Sequence, residues 1–507
     1  MIKSSFFYLA LLHIFSSISF TAEKNIIFFI TDDQSPTLGC YGDPIAKTPA
    51  IDSIAKDGTL FLNAFATTAS CSASRSVVMS GLHNHANGQY GHQHAFHKFS
   101  SYYNVVSLSL PRAMTNAGYR TGHIGKYHVA PEEVFNYETY LRASGRNAVQ
   151  MAERSKDFIT EKSDKPFFLY FATSDPHRGG GKDKNSKYKL KPDLFGNKPD
   201  GKSHDGVDEV FYNPKDVPIP HFLSDTPETR EELAHYYQSV SRIDRGVARL
   251  VQILKDAKLY EKTMIVFTSD HGMAFAGGKT TVYEGGLKVP FVVRNPYEKK
   301  RGVKQTGLIS HIDITPSLLD FAGALDHEKN RPKNWNAPEK YWKDKPYAAK
   351  ENRGSSGKLS AYHGKSWLAI LGNPEKKHWE EIFASHTFHE IQMYYPMRVI
   401  RDDQYKLIWN IAHPLPYPFA SDLWAASSFQ AQYQKSMSAP YGQKTVRDYI
   451  HRPEFEFFKI DQDPNESKNL ANSSKHAEKL KIYKEKLKSA QSKLHDPWIM
   501  KFGLGGF

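Results

Sequence analysis

With 507 residues, 40% hydrophobic and 13% aromatic, the chain is too long for one simple core and too apolar to be disordered, so one large domain plus a smaller one is expected. Its formal net charge of +13 suggests polyanionic partners. Nucleic acid is one such partner and a sulfated or carboxylated polysaccharide another; no zinc-finger spacing and no basic region joined to heptads supports the first.

From Met1 to about Ala22, Lys3 and the apolar segment Phe6–Phe20 read as a secretory signal peptide, with Ser17-Ile18-Ser19 and Thr21-Ala22 as alternative cleavage regions. This implies a secreted or periplasmic protein, and no other segment is apolar enough to span a membrane. Asn25–Ile30 has the continuous apolar pattern of a strand buried on both faces, and it stops at Thr31-Asp32-Asp33. Thr48–Ala55 reads as a helix with proline near its start. Cys71-Ser-Ala-Ser-Arg75 follows in a polar loop, and the apolar run Val77-Val78-Met79 could begin a helix. Cys40 could pair with Cys71 on export; if Cys71 is modified, Cys40 is a small buried residue.

Val105–Ala117 is predicted helical and ends at Gly118, after which the strand Tyr119–Gly125 leads into Lys126-Tyr127-His128. Ala148–Thr160 is predicted as a helix, and Phe167–Ala172 as a buried strand running into Asp175-Pro176-His177-Arg178. Gly179–Gly206, rich in glycine and lysine, is expected to be an exposed loop. A long amphipathic helix at Thr229–Ala257 precedes the strand Met264–Thr268, which ends in Ser269-Asp270-His271-Gly272. A strand at Val289–Val293 and a helix at Ile314–Ala322 complete a mostly parallel sheet covered on both faces. Lys329–Gly357 reads as a lid or linker. Strand-like pieces at Glu381–Ser385, Met397–Arg401, Lys406–Asn410 and Phe455–Ile460 suggest a smaller antiparallel sheet, and Ala477–Leu494 a polar helix. The expected division is therefore 1–22 signal peptide, 23–380 large α/β domain and 381–507 smaller α+β domain.

Polar clusters recur at the carboxyl ends of the buried strands, where open α/β sheets keep their sites. Asp32, Asp33 and Asp270 are carboxylates in such positions, and adjacent aspartates are costly unless a cation sits between them. Hard oxygen ligands select calcium or magnesium; a pair of turn-forming aspartates would also explain Asp32-Asp33 alone. Arg75, one helical turn after Cys71, is expected to lower the thiol pKa and hold an anion. A small buried cysteine beside a surface arginine is the plainer alternative. Lys126 and His128, two apart, could hold an anionic oxygen and move a proton, and His177 is a second proton-transfer candidate.

Cys71–Arg75 resembles the Cys-x-(Pro or Ala)-Ser-Arg signature of type I sulfatases. The family's other segments occur in order: Asp32-Asp33, Gly125-Lys126-Tyr127-His128, a strand-end His177, and Ser269-Asp270-His271-Gly272 followed by the basic Lys279. Within the family the chain is most similar to the heparan N-sulfatase branch, through His85–Gly91, Lys165–Tyr170, Asp175–Arg178, His389–Arg398 and His495–Trp498. The resemblance implies an alkaline-phosphatase-like α/β sandwich with a smaller C-terminal domain. It implies that Cys71 is oxidised to formylglycine by a maturase, and that the hydrated aldehyde attacks sulfur. Asp32, Asp33, Asp270, His271 and residue 71 would bind one divalent cation, calcium in the family. Arg75 would stabilise the aldehyde, Lys126 and Lys279 would grip the sulfate, His128 would assist breakdown of the sulfated intermediate, and His177 would protonate the leaving group.

Three departures stand out. His271 occupies a position where many members have asparagine, and imidazole is softer than calcium prefers. Lys279 replaces an arginine of the N-sulfatase branch, losing a bidentate fork. Ala73 replaces the commoner proline, which in the family points to a bacterial radical maturase. His389, Glu390 and Arg398 are expected to read the sugar, with an interdomain salt bridge as the alternative for the charged pair. The expected substrate is a sulfated saccharide, first a terminal N-sulfoglucosamine of heparin or heparan sulfate fragments. An exo-acting O-sulfatase on another glycan, such as an algal galactan, is the alternative enzyme. A non-catalytic polyanion-binding protein is the alternative outside enzymology. Oligomeric state is open, a homodimer being one option.

Overall fold

The structure is a computed structural model that describes residues 24–94, 97–325 and 362–502. The expected signal peptide and the segment Lys329–Gly357 lie outside the described residues. Eight strands form the main sheet: β1 Asn25–Thr31, β2 Thr59–Phe61, β3 Arg120–Gly125, β4 Thr139–Leu141, β5 Phe167–Ala172, β6 Thr263–Ser269, β7 Phe291–Arg294 and β8 Val303–Gln305. Their spatial order is β8-β2-β7-β6-β1-β5-β3-β4, and β7 alone pairs antiparallel to both its neighbours.

β1 shows why these strands read as unbroken apolar runs. Ile27 and Phe29 enter one hydrophobic cluster, with side chains of the helices α1 Pro49–Lys56, α4 Ala148–Thr160 and α5 Pro227–Asp256. Ile26, Phe28 and Ile30 enter another, with α2 Cys71–Ser80, α3 Leu110–Asn116 and α6 Ile314–Ala322. Alternate side chains thus meet opposite helical layers, and each fully buried one contributes about 1.5–3 kcal/mol. The parallel register aligns the strand ends: Ile30 lies between Thr268 and Ala172, and Gly125 beside Ala172. Whatever follows these residues shares one edge of the sheet.

A second, antiparallel sheet comprises β9 Glu381–His386, β10 Met397–Asp402, β11 Lys406–Asn410 and β12 Phe455–Phe458, in that order. Ile382, Ala384, Met397, Val399 and Ile408 join the cluster that contains Ile27 and Phe29. The opposite face, with Phe383, Ile400, Leu407 and Phe457, is covered by Tyr483 and Leu487 of α7, Ala477–Lys493. The smaller sheet is therefore seated on the main core.

Two expectations change. The helix predicted over Val105–Ala117 is a 3₁₀ segment, Tyr103–Leu108, followed by α3, because Pro111 has no N–H to continue a helix across Ser107–Leu110. Gly179–Gly206 is not simply a loop: Arg178–Lys182 pairs antiparallel with Asp193–Phe195. Glycine is required there, since a Cβ on Gly180 would meet the Phe195 carbonyl oxygen at 2.1 Å. Among the described residues, no helix is long and apolar enough to cross a membrane.

Candidate active site

The carboxyl edge of β1, β6, β5 and β3 carries the predicted polar clusters. Asp32 and Asp33 follow β1 directly and are buried, as are Asp270 and His271 after β6. Asp33 has the left-handed φ of 63°, tolerated by aspartate, and its N–H donates to Asp270 Oδ1 at 3.0 Å. The amide of His271 donates to the same oxygen at 2.9 Å.

Cys71 is the first residue of α2, and its side chain is fully buried against the same edge. Its Sγ lies 3.3 Å from His271 Nε2 and 3.5 Å from Asp33 Oδ1. The expectation that Arg75 activates the thiol is not met. Burial pushes the Cys71 thiol well above its ordinary range, with Asp33 and Asp32 adding to the shift and Lys126 and Lys279 only partly opposing it. Nor is Arg75 a surface residue. Fully buried, it donates through Nε to Asp270 Oδ2 at 3.0 Å, and through its terminal nitrogens to the Thr31 carbonyl at 3.2 Å, Asp32 Oδ1 at 3.3 Å and the Tyr170 hydroxyl at 3.3 Å. It locks the ends of β1, β5 and β6 together.

Lys126 pairs with Asp32 Oδ2. Burial alone would raise the Asp32 carboxyl, but Lys126, His177 and Arg75 hold it well below the usual carboxylate range. Lys279 uses its ammonium on Asp33 Oδ2 at 3.0 Å, His177 Nε2 at 2.9 Å and Asp422 Oδ2 at 2.9 Å, which matches its donor capacity. Since His177 Nδ1 donates to the Arg178 carbonyl, Nε2 is the acceptor facing Lys279. Burial, then the Lys279 charge, pushes His177 down to about 4, so its resting form is the neutral imidazole. His128 lies beyond Lys126 with φ 55°, its ring 4.9 Å from that of His92.

The donors suit a divalent cation. One ligand atom each from Asp33, Cys71, Asp270 and His271 lies within 4.8 Å of the others, all four residues being buried. His271 Nδ1 donates to the Gly272 carbonyl at 2.9 Å, which turns Nε2 toward Asp33 Oδ1 at 3.1 Å. A cation between these two atoms, or a proton on Nε2, would reconcile their approach. Burial also pushes the Asp270 carboxyl up to about 6, Arg75 offsetting it only in part. Asp32, expected as a ligand, is absent from this group, its oxygens being engaged by Arg75 and Lys126. A second acidic grouping, Asp33, His177 and Asp422, is already spanned by the Lys279 ammonium.

The residues expected to read the sugar divide. His389 is buried behind the α2 N-terminus, its Nδ1 2.9 Å from Ser70 Oγ. Glu390 accepts from the Ser421 hydroxyl at 2.6 Å and amide at 3.3 Å, and thereby anchors the short helix Ser421–Trp424 that carries Asp422. Arg398 is not available to a ligand: buried, it makes a bidentate pair with Asp496 at 2.6 and 3.0 Å beneath the Trp498 ring. A salt bridge does hold it, but within the expected smaller domain rather than between the two, since Asp496 comes from the terminal motif. Sequence reasoning missed Asp422 and Tyr170, which carry no local signal. It also passed over His92 and His94, although a His-x-His pair in a histidine-rich tract is a recognisable metal-binding pattern.

A sequence model described as Sulfatase matches residues 24–324. The human N-sulphoglucosamine sulphohydrolase is 33% identical over 488 residues, covering 94% of this chain and 91% of that protein. An ulvan-active sulfatase of Formosa agariphila is 26% identical, covering 93% of this chain and 80% of its own. A solved structure in complex with its substrate D-glucosamine-2-N,6-O-disulfate superposes with a TM-score of 0.61 at 19% identity, covering 94% of this chain and 99% of that one. The phosphonate monoester hydrolase of Agrobacterium radiobacter does so at 0.60 and 17% identity, covering 93% and 96%. These structural likenesses establish the fold, an alkaline-phosphatase-like sandwich with a smaller antiparallel sheet.

Proposed function

Because the chain belongs to the sulfatase family, we propose that it removes the N-sulfate of a terminal glucosamine in heparin or heparan sulfate fragments, with formylglycine at residue 71. It is a hydrolase, and its sulfatase relatives act on sulfated glycans, as their names state. The observation that carries the reading is the buried meeting point of Cys71 with Asp33, Asp270 and His271, flanked by Lys126 and Lys279. A thiol whose pKa burial has raised is a poor nucleophile at neutral pH, which favours an oxidised residue there.

The formylglycine would supply one hydroxyl to attack sulfur and a second whose deprotonation releases sulfate. A calcium ion held by Asp33, Asp270, His271 and residue 71 would orient that residue and offset sulfuryl charge. The chain's own groups do the rest. Lys126 and Lys279 bracket the position of the sulfuryl oxygens, where preorganised positive charge acts most strongly. Arg75, held by Asp270, Asp32 and the Thr31 carbonyl, keeps the carboxylates in place. An anionic sulfate beside His177 raises its affinity for a proton, so His177 would serve as the acid for the leaving group, while Lys279, kept charged despite burial by Asp33 and Asp422, stays a cation hydrogen-bonded to Nε2. His128 is the second proton carrier. Export to the periplasm or medium and maturation by a radical enzyme belong to the same reading, supported by the N-terminal sequence and Ala73.

Similarity to an ulvan-active sulfatase favours the second reading, an O-sulfatase on another glycan. Sulfate release from a panel of N- and O-sulfated saccharides decides between them. Brisk release from N-sulfoglucosamine is expected, and release only from O-sulfated sugars would leave the sulfatase class but refute the N-sulfate assignment.

A further inference from the structure

The segment following α2 builds a second cluster of metal-ligating side chains beside the acidic site. His92 and His94 lie two apart, so in an extended segment both rings project to one side. His92 Nδ1 and His94 Nε2 are hydrogen-bonded to each other at 2.9 Å, which leaves His92 Nε2 free for a further partner. His128, arriving from the end of β3, sets its ring 4.9 Å from that of His92 and 5.7 Å from that of His94. One imidazole nitrogen from each of the three lies within 4.8 Å of the other two.

The scaffold around them is fixed. The His92 amide donates to the His389 carbonyl at 2.8 Å, the Gln93 amide to Ser72 Oγ at 2.9 Å, and the Phe99 amide to the His92 carbonyl at 3.0 Å. The His92 ring packs 3.7 Å from that of His389, which is itself held by Ser70. His128 is kept at φ 55°, a conformation that costs energy for any residue with a Cβ and persists only where the surroundings impose it.

An independent observation points to a ligand. Among the described residues, His92 Nε2 and His128 Nδ1 have no hydrogen-bond partner although both are buried, and His92 is only 5% exposed. Buried polar atoms are normally paired, so unpaired nitrogens at a three-histidine cluster call for a partner. The rings are kept neutral, burial pushing His92 and His128 well below the ordinary histidine range and His94 less far. Neutral imidazoles are borderline-soft ligands that suit zinc rather than calcium, and three of them leave a coordination position for water. His94, the exposed member, leaves the cluster open to solvent.

We propose that His92, His94 and His128 form a second metal site, at the mouth of the active site, for a divalent transition cation of the zinc class. The site is distinct from the acidic one, which shares none of these three ligands. Occupation engages His128, so the same ion acts as a reversible inhibitor that calcium does not mimic. This last consequence rests on the proposed role of His128; the binding itself does not.

Calorimetric titration of the full chain with zinc chloride, in excess calcium to occupy the acidic site, tests the binding without reference to activity. One zinc per chain is expected. Affinity should fall by at least roughly tenfold in His94→Ala and in His92→Ala, since even loss of an outer-sphere partner costs that much. Cys71→Ala should bind zinc as the parent does. Absence of zinc binding overturns the proposal, as does undiminished binding by the folded His94→Ala protein. Binding lost in Cys71→Ala but kept in His94→Ala would place the ion in the acidic site, and also overturns it. His94 is exposed, so its alanine variant should fold; His92→Ala provides the second, buried ligand.

Discussion

Burial dominates the chemistry of individual residues. Cys71, Arg75, Asp32, Asp33, Asp270, His271 and Lys279 are all buried, so their charges are set by one another rather than by water. If residue 71 is formylglycine, peptide mass spectrometry of active protein should find an aldehyde in place of the thiol, and Cys71→Ala should abolish turnover without changing the far-ultraviolet circular dichroism. Full activity with an unmodified thiol would exclude the assignment. Glu390 makes a different case. Its carboxylate is spent on Ser421, whose neighbour Asp422 holds Lys279. Glu390→Ala should therefore act through Asp422 and Lys279. A loss of a few kcal/mol, roughly a hundredfold in kcat/KM, is expected on the saccharide and on a small aryl sulfate alike. Selective loss on the saccharide would instead make Glu390 a direct sugar contact.

Among the elements, two contacts control how parts of the fold are joined. Gly246 of α5 lies so close to α4 that a Cβ there would meet the Cβ of Ala148 at 2.2 Å. Gly246→Val should push the helices apart and destabilise the protein by about 1–3 kcal/mol, seen as a lower urea midpoint. Arg398 of β10 and Asp496 beyond α7 tie the outer helix to the smaller sheet. Asp496→Ala leaves a buried guanidinium without its partner and should cost about 3–5 kcal/mol. A negligible change in the urea midpoint would show that water reaches Arg398 in the variant.

For the whole molecule, two sheets are assembled around one core so that the segments joining the strands of the smaller one bring Asp422 and His389 to the edge of the larger. The acidic site lies at the larger sheet's carboxyl edge, where β1 and β6 end side by side. If Asp33, Asp270 and His271 hold a cation there, exhaustive chelation should remove activity and calcium should restore it. Asp270→Ala should be inactive under both conditions, and unchanged activity after chelation would rule the site out. With chelated protein, zinc added in place of calcium should not restore turnover, because the histidine cluster removes His128 from use.

Legibility from sequence followed the range of the interactions involved. Apolar runs and strand-end polar clusters are local, so Ala148–Thr160, Phe167–Ala172 and Lys406–Asn410 were legible to the residue, and a parallel sheet with its site at one edge followed from their alternation. The motif residues were legible as an ordered set through their resemblance to the family, and the structure brings Asp33, Cys71, Asp270 and His271 of that set together. The proline break at Pro111 and the glycine hairpin after Arg178 were local too, but masked by an apolar spacing and a composition that pointed elsewhere. Only the tertiary structure decided what each charge touches. Lys279 meets Asp422 across 143 residues and Arg398 meets Asp496 across 98, and neither separation leaves a trace in spacing or periodicity. It also decided that residue 71 is buried, where a thiol is pushed up rather than down in pKa, and that His92 and His94 meet His128. A side chain's type fixes which bonds it can make, whereas its pKa and its partners depend on solvent exclusion, which exists only once distant segments have packed.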